Sequence, residues 1–276
     1  MTELPSTLLA GKTAFVTGGG SGINLGIAQA FARAGANVAI CGRTKEKLDA
    51  AAETLRALGA GVSTAVADVR DFAQLEAAFA TCKQALGPVD IVVCGAAGNF
   101  VAPAEGISSN GFASVLNIDL LGSFHTAKAG FEQLKATRGA LLFVSAGQAY
   151  MPYAFQAHVG AAKAGVENLM RNLALEWARH GIRSNSVVPG PIAGTEGMRR
   201  LAVGENADAF KSMVPLGRFG TVDDIGRMAT VLCSEWSSFV TGAQVIVDGG
   251  FGLAGSGVFN ATVASAVRAA AKPRSE

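Results

Sequence analysis

Residues 13–26 read Thr13-Ala14-Phe15-Val16-Thr17-Gly18-Gly19-Gly20-Ser21-Gly22-Ile23-Asn24-Leu25-Gly26. The β-branched and aromatic run Thr13 to Val16 predicts a short buried strand. Gly18, Gly19, Gly20 and Gly22 then remove side chains where the backbone must turn sharply, and Ile23 to Ala34 is alanine-rich with helical spacing. Strand, glycine turn and helix start together build an anion site, because free N–H groups and the positive end of the helix dipole face the same point. Glycine strings alone occur in flexible loops. Placed between a strand and a helix, this one predicts nucleotide binding.

Working outward, the chain alternates strand and helix. Strands are expected at 37–41, 62–67, 89–94, 141–144, 183–188 and 244–247. Helices are expected at 45–58, 72–86, about 111–135, about 154–179 and 222–233, with Thr44 as a cap and Gly59 as a stop. Pro189-Gly190-Pro191 breaks the sixth strand, and a polar segment follows to about Gly220. The tail after Gly252 is rich in small residues and receives no assignment. This alternation predicts an α/β fold, a Rossmann-like doubly wound parallel sheet with helices on both faces. Ligands of such sheets lie beyond the carboxyl ends of the strands. Thr17-Gly18, Gly42-Arg43, Asp68, Gly95–Asn99, Ser145 and Pro189-Gly190 all fall there.

The chain has 276 residues, half of them hydrophobic and 16% charged, which suits one large core and one domain spanning residues 1–276. A formal charge of +2 is too small for a nucleic-acid partner. No apolar run approaches a membrane span. Met-Thr-Glu-Leu-Pro-Ser is no signal peptide, Arg-Ser-Glu at the end is no peroxisomal address, and Cys41, Cys82, Cys94 and Cys233 lack metal or redox spacing. A cytoplasmic location with buried, reduced cysteines and no metal site is the expectation.

Thr17-Gly18-Gly19-Gly20-Ser21-Gly22-Ile23, Asp68-Val69, Ala96-Ala97-Gly98, Ala161-Ala162-Lys163-Ala164-Gly165 and Pro189-Gly190 together resemble the short-chain dehydrogenase/reductase family over about residues 8–252. The resemblance implies hydride transfer to or from NAD(H) or NADP(H), by a protein that is usually tetrameric. It places Gly18, Gly20, Ser21, Gly22, Ile23, Val69, Ala96, Lys163, Pro189, Gly190 and Ile192 around the dinucleotide. Asp68 would meet the adenine edge, or cap a helix, or both. After the second strand an acidic residue would bind the adenosine ribose. Here Cys41-Gly42-Arg43 offers a guanidinium instead, which favours NADPH unless Arg43 is merely solvated. Asn24 stands where a third glycine is usual, and asparagine tolerates unusual backbone conformations.

The family's tyrosine, four residues before its lysine, serves as the proton donor to a carbinol oxygen. Here Lys163 is preceded at that spacing by Val159. The usual serine position holds Ala146, beside Ser145, and the usual asparagine position holds Asp119. Ordinary ketone chemistry therefore lacks its donor, whereas reduction of a conjugated C=C needs no proton on a carbinol oxygen. Ala96–Phe100, His158–Lys163, Glu176-Trp177 and Pro189–Gly197 look most like 2,4-dienoyl-CoA reductases of the peroxisomal branch, where the tyrosine is likewise absent. That resemblance implies reduction of a 2,4-dienoyl-CoA to a 3-enoyl-CoA by NADPH, with a water polarised by Asp119 and Asp248 as proton source. Asp248 could equally be a structural aspartate at a strand end. Lys163 would bond the nicotinamide ribose and offer positive potential to an enolate. Ser145 could donate to the thioester oxygen or be a buried structural hydroxyl. Tyr150 and Tyr153 are expected to line the pocket, with entry as a donor the alternative. Arg199 and Arg200 could meet coenzyme A phosphates. The substrate class is an acyl-CoA-type molecule and the assembly a homotetramer. A carbonyl or 3-oxoacyl reductase with another donor, and a nucleotide-binding pseudoenzyme, remain alternatives.

Overall fold

The computed structural model describes residues 4–195, 198 and 207–256. Arg199, Arg200 and most of the tail after Gly252 lie outside the described residues. Seven strands form one all-parallel sheet: β1 (Thr13–Thr17), β2 (Asn37–Gly42), β3 (Val62–Val66), β4 (Ile91–Cys94), β5 (Ala140–Val144), β6 (Arg183–Pro189) and β7 (Gln244–Val247). Their order is β3-β2-β1-β4-β5-β6-β7, so it reverses between β1 and β4. The helices are α1 (Gly22–Arg33), α2 (Lys45–Ala57), α3 (Phe72–Leu86), α4 (Ser109–Leu116), α5 (Gly122–Thr137), α6 (Ala157–Trp177), α7 (Ala207–Ser212) and α8 (Val222–Cys233). None among the described residues is long and apolar enough to cross a membrane.

Strand residues alternate between two cores, as the pleat demands. Ala14, Val16, Val38 and Ile40 pack under α1, α2 and α8, while Phe15, Ala39 and Cys41 face α3, α5 and α6. Phe15 stacks on Phe79 at 3.9 Å between ring centroids. The expected doubly wound sheet is therefore present. The four cysteines are buried and unpaired; burial pushes the Cys41 thiol up to about 12, leaving it inert.

Three local expectations change. The long helix expected at about 111–135 is interrupted by a wide π turn, Asn117–Leu121, between α4 and α5. An extra residue in one turn rotates the rest of the helix, and such turns gather at functional positions. Here the turn carries Asp119 inward until it is 1% exposed, and the Ser123 hydroxyl donates to the Asp119 carbonyl at 2.5 Å. Thr44 precedes α2 without a side-chain cap bond. Nor is Asp68 the cap of α3: Asp71 is, its carboxylate accepting from the Gln74 amide at 3.1 Å.

Candidate active site

The strand ends at the switch point line one cleft. Thr17 fixes it: its hydroxyl donates to the Val93 carbonyl at 3.0 Å and accepts from the Gly95 amide at 3.0 Å. That clamps the loop after β4 beside the glycine turn. Gly18 (φ +68) and Gly22 (φ +59) hold left-handed conformations that only glycine adopts without strain. A methyl on Gly18 would also lie 3.1 Å from the Ala96 Cα. Asn24, by contrast, is helical, so its backbone is ordinary and the expected reason for it fails. Its side chain explains it instead, with Nδ2 donating to the Gly95 carbonyl at 2.7 Å and tying α1 to the end of β4.

Gly18, Gly20, Ser21, Arg43, Asp68, Val69 and Ala96, which the resemblance places around a dinucleotide, all line this cleft. Lys47 lines it too, and the sequence reading missed it. The available signal was its place in the first turn of α2, the helix that follows Arg43, where its Cβ lies 3.4 Å from the position a Cβ on Gly20 would take. Arg43 and Lys47 are exposed and form no ion pair with a described residue. The residues therefore fit a dinucleotide: amides at the start of α1 for a pyrophosphate, and two cations with no acidic residue at the end of β2. Asp68 is occupied otherwise. Arg70 grips its carboxylate with Nε at 3.0 and 3.1 Å and Nη2 at 2.6 Å, and these bonds lower its pKa.

A second, more apolar cleft adjoins it, lined by Ile23, Ser145, Pro189, Gly190 and Ile192 together with Tyr153, Phe210 and Phe251. Ser145 Oγ is buried and makes no hydrogen bond with a described residue. Tyr153 lines this cleft as expected, whereas Tyr150 is not among the residues lining it and is 42% exposed. Burial is the main cause that raises both phenols, Tyr153 to about 12.

Lys163 and Asp119 line neither cleft and form a buried ion pair. Lys163 on α6 places Nζ 3.2 Å from Asp119 Oδ2 and donates to the Val144 carbonyl at 3.0 Å. Asp119 Oδ1 accepts from the Gly98 amide at 2.7 Å. Oδ2 lacks a well-directed hydrogen bond, so its contact with Lys163 is ionic rather than directional. Val159, one turn before Lys163, packs with Val115, Ala162 and Phe100 and presents no ionisable atom. Asp248 does not join this pair. Its oxygens accept from the Gly250 and Gly252 amides at 2.8 and 2.7 Å, the bonding of an aspartate that shapes a strand end. His158 is fully buried against Phe100, ring centroids 4.1 Å apart. Among the described residues, no cluster of three or more His, Cys, Asp or Glu side chains could hold a metal ion.

A family model described as enoyl-(acyl carrier protein) reductase matches residues 18–252. The peroxisomal 2,4-dienoyl-CoA reductase of Saccharomyces cerevisiae is 44% identical, covering 88% of this chain and 85% of its own. The peroxisomal enzyme of the same name from Danio rerio is 40% identical, covering 88% and 82%. A crystal structure of gluconate 5-dehydrogenase from Burkholderia cenocepacia, in complex with NADP and tartrate, is 32% identical with TM-score 0.84, covering 89% of this chain and 97% of that one. The relatives overturn the expected cytoplasmic location, since those two reductases are peroxisomal. That expectation rested on the lack of a recognised address in the terminal residues and on cysteine usage, and neither of these fixes a compartment. Sheet order and glycine turn agree with these likenesses, and the chain belongs to the short-chain dehydrogenase/reductase family of oxidoreductases, alongside 2,4-dienoyl-CoA reductases.

Proposed function

We propose that the protein reduces a 2,4-dienoyl thioester, of the coenzyme A type, to the 3-enoyl thioester, with NADPH as reductant and the whole chain acting as one domain. The observation that carries this reading is the exchange at the catalytic helix. Lys163 keeps its place while its partner is the buried carboxylate of Asp119, and the position one turn earlier is an apolar valine. Ketone reduction needs a proton on oxygen as the hydride arrives. A dienoyl thioester spreads the incoming charge into an enolate and takes its proton later, on carbon.

NADPH supplies the hydride at the carbon distal to the thioester. In this reading the amides at the start of α1, with Ser21, hold the pyrophosphate, and Arg43 and Lys47 hold the 2′-phosphate. Val69, Ala96, Pro189, Gly190 and Ile192 wall the dinucleotide. Lys163 has a third N–H for the nicotinamide ribose after serving Asp119 and Val144. Asp119 orients a water that protonates the carbon next to the thioester carbonyl, and Ser145 donates to the carbonyl oxygen. Asp248 shapes the end of β7 and serves the water only if its turn opens, because backbone amides already take both oxygens.

A homotetramer belongs to the same proposal. Leu121 and Phe124 at the start of α5, and Trp236 and Phe239 after α8, expose large apolar side chains suited to copies of the chain. Light scattering would read four copies, and a monomer at working concentration would remove that part. The decisive experiment incubates the purified protein with NADPH and a 2,4-dienoyl-CoA and identifies the product by mass and double-bond position. A 3-enoyl-CoA is expected. Oxidised cofactor with a 3-oxoacyl-CoA and none with the diene would restore a carbonyl reductase.

A further inference from the structure

Asn24 and Gly95 share a space that holds one side chain. Asn24 is the third residue of α1 and stands where a third glycine is usual. A methyl on Gly95 would find its three nearest atoms in the Asn24 side chain: Oδ1, Cγ at 2.6 Å and Nδ2 at 2.8 Å. This chain thus sets the glycine of that contact after β4 instead of on α1. Nδ2 uses the room to donate to the Gly95 carbonyl at 2.7 Å. Oδ1 is buried and makes no hydrogen bond with a described residue. An unsatisfied buried oxygen costs stability, and it is retained where the rest of the side chain is needed.

Both ends of this bond lead to the chemistry. On the α1 side, the first-turn amides have no partner inside the helix and suit the pyrophosphate of a dinucleotide. On the other side, Gly95 opens the loop 95–98, and its amide donates to Thr17 Oγ1 at 3.0 Å. Three residues on, the Gly98 amide donates to Asp119 Oδ1 at 2.7 Å. Gly98 also packs directly on the π turn, because a methyl there would lie 3.0 Å from Ile118 Cδ1. Asn24, Gly95, Ala96, Ala97 and Ile118 all line the first cleft. The loop therefore runs along the wall of that cleft from the start of α1 to the buried carboxylate.

We infer that Asn24 is a positioning residue that couples the dinucleotide site to Asp119, through the Gly95 carbonyl and the Gly98 amide. The inference rests on the reading above, in which NADPH fills the first cleft and Asp119 orients the protonating water. Asn24 touches neither substrate nor water in this role. It fixes the loop whose Gly98 amide holds one carboxylate oxygen, so that the other keeps its place beside Lys163 when the pyrophosphate seats on α1. Coupling between two sites needs a connected element that both can bias, and this loop is bonded at both ends. Glycine at position 24 would leave the amides of α1 in place and untie the loop from the helix. Cofactor binding and turnover should then separate.

The test uses the full-length protein. Asn24→Gly deletes the bond, and Asn24→Leu keeps the volume while dropping the donor. With NADPH and a 2,4-dienoyl-CoA, both should lower kcat by roughly tenfold or more, the scale of a small misplacement, with NADPH affinity and KM within about threefold. A second readout needs no turnover. At saturating NADPH, amide hydrogen exchange in peptides covering 95–98 and 117–121 should run roughly fivefold faster in Asn24→Gly than in the unaltered protein, the scale of one lost hydrogen bond. The shared space has its own check: Gly95→Ala should lower the melting temperature of the unaltered protein and do so much less in the Asn24→Gly background. Equal losses in both backgrounds would overturn the contact on which the coupling depends. Normal kcat with unchanged exchange in Asn24→Gly overturns the coupling and leaves the dienoyl reading intact. No turnover of dienoyl-CoA by the unaltered protein overturns the dienoyl reading, and the exchange measurement then decides the coupling by itself.

Discussion

Lys163 Nζ and Asp119 Oδ2 stand 3.2 Å apart in a pair whose side chains are 8% and 1% exposed. Removing one partner of a buried pair leaves a charge in low dielectric, at a cost of about 3–5 kcal/mol. Asp119→Asn keeps the shape and the Gly98 contact but removes the charge beside Lys163. Its melting temperature should fall by several degrees. Turnover of a dienoyl-CoA should fall by roughly 10²-fold or more, the scale of a lost acid–base group, while NADPH still binds. Steady-state kinetics beside cofactor titration separate the two effects. A variant that turns over at the normal rate would rule out the carboxylate–water route.

Arg43 and Lys47 should share the 2′-phosphate. Arg43→Ala should remove most of any preference for NADPH over NADH while barely changing NADH affinity, and Lys47→Ala should do the same more weakly. Charge-assisted bonds to phosphate are worth about 1.5–3 kcal/mol each, which corresponds to losses of roughly tenfold or more in NADPH affinity. Fluorescence titration with both cofactors measures this directly. Equal affinity for NADH and NADPH in the unaltered protein would sink the assignment.

Much of the fold was legible because its signals are local. Glycines between a strand and a helix, and apolar runs at the spacing of β-α units, each fixed an element, and the helices at 72–86 and 222–233 appear with the expected bounds. What stayed hidden depends on contacts distant in sequence. No periodicity distinguishes a π turn at Asn117–Leu121 from ordinary helix. Asn24 made sense only once Gly95, 71 positions away, supplied the carbonyl it binds. Asp68 was legible as a residue of the cleft but not as the captive of Arg70, because two neighbours in sequence need a particular loop shape to meet. The departure from the family's pattern at Val159 was legible for a different reason: a side chain without a phenol stands there at a spacing that a helix makes meaningful.

Stability should carry a pH signature at the start of α8. Thr221 and Asp224 form a reciprocal cap, and Arg218 adds a bond to the Asp224 carboxylate at 2.8 Å. That bond is the main cause holding the carboxyl at about 2, below its ordinary 3.8. Folding therefore favours the ionised form. The contribution is full above the unfolded value and disappears as pH falls through about 2. Asp224→Asn should cost about 1 kcal/mol at neutral pH, the scale of a helix cap. The gap between variant and unaltered protein should close in acid. Denaturant melts across pH 2 to 7 measure it, and a gap independent of pH would show that packing, not charge, sets the cap's worth.

Val159 separates the two enzyme readings. Its neighbours Val115, Ala162 and Phe100 leave no room for a phenol without repacking, so Val159→Tyr should cost about 1–3 kcal/mol of stability. The new phenol would stand one turn from Lys163, where ketone reduction wants it. If the reaction protonates carbon, that phenol has nothing to do, and dienoyl turnover should stay level or fall. If the protein is a carbonyl reductase with an unusual donor, the same change should accelerate ketone reduction. Isotope placement decides the matter independently. Deuterium from labelled NADPH should appear on the carbon distal to the thioester, and deuterium from solvent on the carbon next to the carbonyl. Label on a carbinol carbon, with dienoyl-CoA untouched, would assign the site to ketones, and the valine would then need a substitute donor from outside α6.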